Sequence, residues 1–265
     1  HNNERRQMIL DAALTVIART DDPGGDISVQ QIADEAGVHR TVLYRYFDDR
    51  TDLDIAIQQV ICDDARATIN DAVALEGTPK EITRRIVAAY VGWAVENRAL
   101  MRFAEHDIPG ASNKPLDDAI TQIAEQIELI IGSFLAIIGV ELSASDRASL
   151  TPYTFVLVGG AIAGVRSWTS RDTLQPPVDD FTRMLAHATW LQVDGLARSV
   201  SIELPDLPVE QLLTPKDDEM NKDQERKLDE AQVALARSTG LDPNLFPAYV
   251  VQAQLALGRG ELDEA

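Results

Sequence analysis

The stretch from residue 28 to residue 47, SVQQIADEAGVHRTVLYRYF, constrains the fold more than any other part of the chain. Val29, Ile32, Ala33 and Ala36 recur at one-turn spacing and give one apolar face. Ser28 stands where an N-cap belongs, with Gln31 at the capping-box position. Gly37 follows the last apolar-periodic residue, where a helix leaves through a left-handed residue. A second helix starts near His39 or Arg40, with Val42, Leu43 and Phe47 inward. His39, Arg40, Thr41, Tyr44, Arg45 and Tyr46 are left largely outward. Two short helices around a tight glycine turn form a helix-turn-helix, whose second helix fits the major groove of DNA. The same spacing also serves a solvated helix pair in some other helical protein.

The outward set carries the chemistry of a groove-reading helix. Arginine binds guanine O6 and N7 in a bidentate way, and threonine touches a base edge or a thymine methyl. Tyrosine hydroxyls and the following Arg50 suit phosphate oxygens. The string AGV-x-x-T-x-LY-x-YF is carried by Ala36-Gly37-Val38, Thr41, Leu43-Tyr44 and Tyr46-Phe47. With Ile32-Ala33 before it and Leu53 after it, it resembles the DNA-binding domain of the tetracycline-repressor (TetR) family of transcription regulators. The resemblance covers roughly residues 1–55; beyond them only the helical layout matches. It implies that Ser28, His39, Arg40, Thr41, Tyr44, Arg45, Tyr46 and Arg50 face double-stranded operator DNA. Two positions depart from the family's pattern. The family usually has a small residue where His39 stands and a lysine where Arg50 stands; Arg50 keeps the charge.

The charge balance works against a generic nucleic-acid binder, which is usually basic. The 265-residue chain carries a net charge of −19. Residues 1–50 hold six arginines against nine acids. What remains is placement. Arg5 and Arg6 open the first helix, while Arg40, Arg45 and Arg50 cluster at the second of the pair. DNA binding then rests on a local basic patch over an acidic body. Such a body disfavours non-specific DNA. A 45% apolar and 25% charged composition is that of an ordinary globular protein. Cys62 is the one cysteine, which rules out an intrachain disulfide and fits a reducing, cytoplasmic setting. No apolar run approaches the ~18 residues of a membrane span, so no membrane partner is expected.

The whole chain reads as all-α. A first amphipathic helix at 4–19 completes a three-helix DNA-binding domain at residues 1–50. DDPGGD at 21–26 is a turn. A long helix at 51–76 opens a ligand-binding and dimerisation domain at 51–202. Further helices follow at 79–97, 100–106 and 115–138, then from Ser143 to about 170, and from Pro177 to about 199, with a break at Pro109-Gly110. Residues 203–265 read as a Pro-rich acidic linker followed by a C-terminal helical hairpin of unassigned role. Part of that hairpin is faintly like a tetratricopeptide turn, although a stable array takes about three repeats.

Tyr90, Trp93, Met101, Phe103, His106, Ile123, Ile127 and Phe134 stand on the helices that correspond to the family's ligand cavity. Charge is sparse on these faces, so a hydrophobic small-molecule effector is expected. Tyr153, Leu157, Gly160, Gly164 and Trp168 form one stripe, and Phe181, Leu185, Ala188 and Leu191 another. The resemblance implies that these two helices build a four-helix homodimer interface. VLVGGAIAG at 156–164 has helical flanks instead of the strand that a dinucleotide fingerprint needs. His106-Asp107 has no nucleophile beside it. Neither catalysis, nor a metal, nor a cofactor is expected. The resulting reading is a DNA-binding transcriptional regulator, a repressor released by a hydrophobic effector. The alternative is a helical protein-interaction or small-molecule-binding module that uses the C-terminal helices.

Overall fold

The computed structural model describes residues 2–20, 27–74, 76–108 and 114–212, and every regular element within them is a helix. The turn expected at 21–26, the break at Pro109-Gly110 and the hairpin beyond residue 212 lie outside the described residues.

Helix α1 (Asn2–Arg19) buries Ile9, Leu10, Ala13 and Ile17. Against it lie α2 (Val29–Glu35) and α3 (Arg40–Leu43), which bury Ile32, Ala33 and Leu43, with Phe47 following. The capping box at Ser28 is formed: its hydroxyl accepts from the Gln31 backbone N–H at 3.2 Å, and its own N–H donates to Gln31 Oε1 at 2.8 Å. Gly37 has φ 64°. Around it Val38 N–H donates to the Ala33 carbonyl and Gly37 N–H to the Asp34 carbonyl. These two bonds are the six-to-one and five-to-two closure of a Schellman motif, and they need a left-handed residue at that point.

Helix α4 (Arg50–Ala72) leaves the head and enters the body, capped by Asp49. The sequence pattern predicts that this helix continues to residue 76. It stops at Ala72, where Arg85 takes the last carbonyl of the helix and two carbonyls of the segment that follows. Arg85 Nε donates to the Ala72 carbonyl at 2.9 Å, and its terminal nitrogens donate to those of Ala74 and Glu76. A guanidinium at a helix C-terminus satisfies orphan acceptors and opposes the negative end of the helix dipole. Helix α5 (Pro79–Glu96) starts with a second capping box, Thr78 with Glu81, and with proline at its first turn.

The body continues with α6 (Arg98–Ala104), α7 (Lys114–Ile137), α8 (Ala144–Thr169), α9 (Val178–Ser199) and a short α10 (Val209–Leu212). Helix α5 is central and packs on α4, α6, α8 and α9, while α7 lies against α8 and α4. Two more side chains close helix ends at a distance. Buried Gln58 donates to the carbonyls of Phe103 and His106 past the end of α6. Arg98 donates to those of Thr169 and Arg171 at the end of α8. One apolar cluster runs from Ile9 and Leu43 in the head through Leu53, Ile57 and Ile61 of α4 to Val91, Val165 and Phe181.

The expectation about membrane length needs correction for α8. Its 26 residues include an 18-residue window of mean hydropathy 1.5, long and apolar enough to cross a bilayer by length and composition. Only 28% of that window is buried within the chain. Its inner side meets α7 and a cavity; its outer side is bare.

Candidate functional site

The head places its outward residues by local bonds. His39 is the N-cap of α3, and its Nδ1 lies 2.9 Å from Thr41 Oγ1 and within reach of the Thr41 N–H. The sequence reading set His39 outside as a departure from the family. In the structure it does the work that a Ser or Thr cap does elsewhere. Arg40, Thr41, Tyr44 and Arg45 are exposed together, with the Arg40 guanidinium 5.9 Å from the centre of the Tyr44 ring. Tyr46 is half-buried against the core.

Two of the expected DNA contacts have other partners. Ser28 is exposed but engaged in its capping box. Arg50 Nε donates to both carboxylate oxygens of Asp54, and Nη1 donates to the Ile27 carbonyl at 2.5 Å. Its guanidinium therefore ties the approach to α2 onto α4. Its i,i+4 spacing to Asp54, visible in the sequence, marks this pairing. Arg6, by contrast, lies 4.9 Å over the Phe47 ring, a contact across the head that spacing does not show.

The body encloses a cavity of about 400 Å³ between α5, α7, α8 and α9. Ile82, Ile86, Ile127, Phe134, Leu150, Leu157, Val158 and Leu185 are in its wall, with Ile202 and Leu204 from the segment after α9. Ile69, near the end of α4, also faces it. Such a volume and lining are those of small-molecule sites. Of the expected ligand residues, Tyr90, Ile123, Ile127 and Phe134 line this cavity.

The other four do not. Trp93 and Met101 face a second, smaller cavity of about 120 Å³. Trp93 Nε1 donates to Asp64 Oδ2 at 2.7 Å, which pins α5 to α4. Phe103 packs half-buried on the core, and His106 is exposed; neither lines either of these two cavities. Cys62 is in the smaller cavity's wall, and burial pushes its thiol up to about 12. Glu105 and Arg166 pair there at 3.1 Å. Burial raises the Glu105 carboxyl, and Arg166 opposes that shift.

The residues expected to bind a partner divide between two faces: Gly160, Ala188 and Leu191 are exposed, Gly164 is half-buried, and the others turn inward. Trp168 and Phe181 stack at 4.1 Å, both buried, inside the core. Leu157, Tyr153 and Leu185 line the large cavity. The sequence correctly finds apolar periodicity on both helices but does not show which stripe turns inward. The exposed stripe runs through Val156, Gly160 and Ala163 on α8 and through Met184, Ala188 and Leu191 on α9. Phe155 is 47% exposed, Val156 65%, Met184 54% and Leu191 54%, too much apolar surface to be incidental. A Cβ on Gly160 or Gly164 meets nothing within 4 Å, so packing inside the chain does not require either glycine.

A helix-turn-helix head on an all-helical body defines a DNA-binding regulator. Residues 9–57 match the family described as bacterial regulatory proteins, tetR family. An uncharacterised HTH-type transcriptional regulator of Mycobacterium tuberculosis is 26% identical over 200 residues, 75% of this chain and 81% of its own length. A tetR-family transcriptional regulator from Streptomyces coelicolor shares the fold with a TM-score of 0.58 at 19% identity, over 86% of this chain and 97% of that one. The fatty acid degradation regulator FadR from Bacillus halodurans aligns with a TM-score of 0.50 at 18% identity, over 72% and 96%. The head thus matches the tetR-family model, and the helical body shares the fold of solved tetR-family regulators.

Proposed function

We propose that this DNA-binding regulator is a repressor that works as a homodimer and is released by a lipophilic small molecule. One observation carries the reading: α4 belongs to both ends of the switch. Its first turns bury Leu53 and Ile57 against the head, and its last turns set Ile69 in the wall of the 400 Å³ cavity. A ligand among those side chains shifts the head only if it prefers one head spacing. Moving a population from 1:99 to 99:1 takes about 5.5 kcal/mol of such preference. Burying roughly ten methylenes supplies about 8 kcal/mol of gross binding energy, of which the differential part acts.

In this reading residues 1–50 are the reading head and 51–202 the sensing and pairing body. Arg40, Thr41, Tyr44 and Arg45 read bases, and Ser28 and Tyr46 meet phosphates. The bare α8–α9 face pairs with its copy, placing two heads on a quasi-palindrome. Selection of bound sequences from a random DNA pool, followed by titration with lipophiles of increasing chain length, tests the proposal. Half-site repeats released by the longer ligands are expected. Sequence-independent binding, or no release at any length, overturns it. Leu191→Asp should give a monomer in sedimentation; a wild type that is itself monomeric at micromolar concentration rules out the pairing.

A further inference from the structure

Among the described residues that line the large cavity there is no Lys, Arg or His, and Asp146 is the one formally charged side chain. Asp146 already serves the start of α8, where its carboxylate accepts from the Ser143 hydroxyl at 2.6 Å. A carboxylate or phosphate inside this wall would lose hydration and gain no cation. Among the wall's side-chain polar atoms that are shielded from solvent, one lacks a hydrogen-bond partner. The Tyr153 hydroxyl is shielded from solvent and has no hydrogen-bond partner. Burial raises its ionisation, and a neutral phenol is an O–H donor. Leaving a buried donor unmatched is costly, and a ligand acceptor removes that cost.

Resting on the effector-cavity reading above, we infer that the cavity's ligand is an uncharged lipophile bearing a ketone, ester or similar oxygen that accepts a hydrogen bond from Tyr153. Its apolar part occupies the Ile82, Ile127 and Phe134 side of the wall. The inference excludes free fatty acids as the preferred class, although their tails would fit.

Calorimetric titration of the full chain with dodecan-2-one, dodecane, dodecanoate and dodecylamine tests this. The ketone should bind tightest, about tenfold above the alkane, a ratio typical of one hydrogen bond. Tyr153→Phe should bring ketone and alkane to equal affinity while alkane binding stays unchanged. Dodecanoate or dodecylamine binding above the ketone overturns the inference, as does a ketone preference that survives in Tyr153→Phe. Ala161→Trp, which fills the cavity, separates this from failure of the underlying reading. If none of the probes binds the wild type, or if all bind the filled variant undiminished, the effector site is elsewhere and the inference falls with it.

Discussion

The head and the body start their helices with similar local caps, but they differ in how several C-terminal ends are closed. In the head, the ends of α2 and the start of α3 are closed by neighbours in sequence: Ser28 with Gln31, Gly37 with Val38, and His39 with Thr41. In the body, the C-terminal ends of α4, α6 and α8 are closed by Arg85, Gln58 and Arg98, which lie 13, 45 and 71 positions from the first carbonyl each one takes. Local closure makes the head's shape a property of a short string, so a groove-reading surface can be carried intact on different bodies. Remote closure ties the body's helices to one another, so that a shift in one is felt at the end of another. That is the mechanical condition for a cavity to influence the head.

The largest expected effect comes from attacking what the two regions share. Ile57 is fully buried on α4, in the cluster that spans head and body. Ile57→Ala should cost about 2–5 kcal/mol through lost burial and a residual cavity. Urea unfolding followed by tryptophan fluorescence and by far-UV circular dichroism should give one coincident transition. Since all three tryptophans lie outside residues 1–50, a dichroism change that precedes the fluorescence change would mean that the head unfolds alone. The comparison would then be one of separate units.

Next in size is a remote cap. Arg85→Met keeps the aliphatic stem and removes every bond to the α4 terminus. The charge-assisted bonds to three carbonyls make a loss of about 2–3 kcal/mol the expected result. Chemical denaturation measures it. A loss below roughly 0.5 kcal/mol would show that the freed carbonyls find partners nearby, for instance by α4 running on, and that remote closure is dispensable here.

The same contrast explains what was legible in the sequence. The capping box, the left-handed Gly37 and the inward set Ile32, Leu43 and Phe47 all follow from residues within one or two turns of each other. The overrun of α4 to residue 76 does not: the side chain that meets the end of the helix lies on the next one. Trp93 and Phe103 read as cavity residues because aromatic residues on an inner face look alike whether they meet a void or a neighbour. The Asp64 carboxylate decides the matter for Trp93, and no spacing rule pairs residues on two helices. On α8 and α9 one side meets the cavity and core, and apolar residues such as Val156, Met184 and Leu191 also stand on the bare side. Periodicity alone therefore groups exposed Gly160, Ala188 and Leu191 with Trp168 and Phe181, which the fold buries. Arg50 was legible in principle, since Asp54 stands four residues on, but its charge at the edge of the recognition surface argued for phosphate instead.

Within the head, base reading is expected to separate from stability. Arg40→Ala and Arg45→Ala remove exposed side chains, so thermal unfolding should move little. Each should cost roughly 1–3 kcal/mol of operator affinity where it holds a guanine, and should relax preference at that base pair. Competition binding over a panel of single-base operator variants resolves this. Equal preference in wild type and both variants would move the reading surface off α3.

The smallest effect is the most discriminating one, because Ser28 stands under two explanations. Its hydroxyl and N–H are both spent in the capping box, which accounts for the residue without any DNA. It is also exposed at the start of α2, and the first helix of a helix-turn-helix crosses the phosphate backbone. Ser28→Ala cannot separate the two, since losing the cap costs about 1 kcal/mol and shifts α2 as well. Ser28→Asp can. Aspartate caps as well as serine and favours the positive end of the helix, so unfolding should change by less than about 0.5 kcal/mol. The added negative charge acts only if a phosphate is near. The expected outcome is unchanged stability with operator affinity reduced severalfold at low salt, the difference shrinking as salt screens it. If affinity does not change at any salt concentration, Ser28 is a cap alone, and the DNA-facing surface of this head begins at α3.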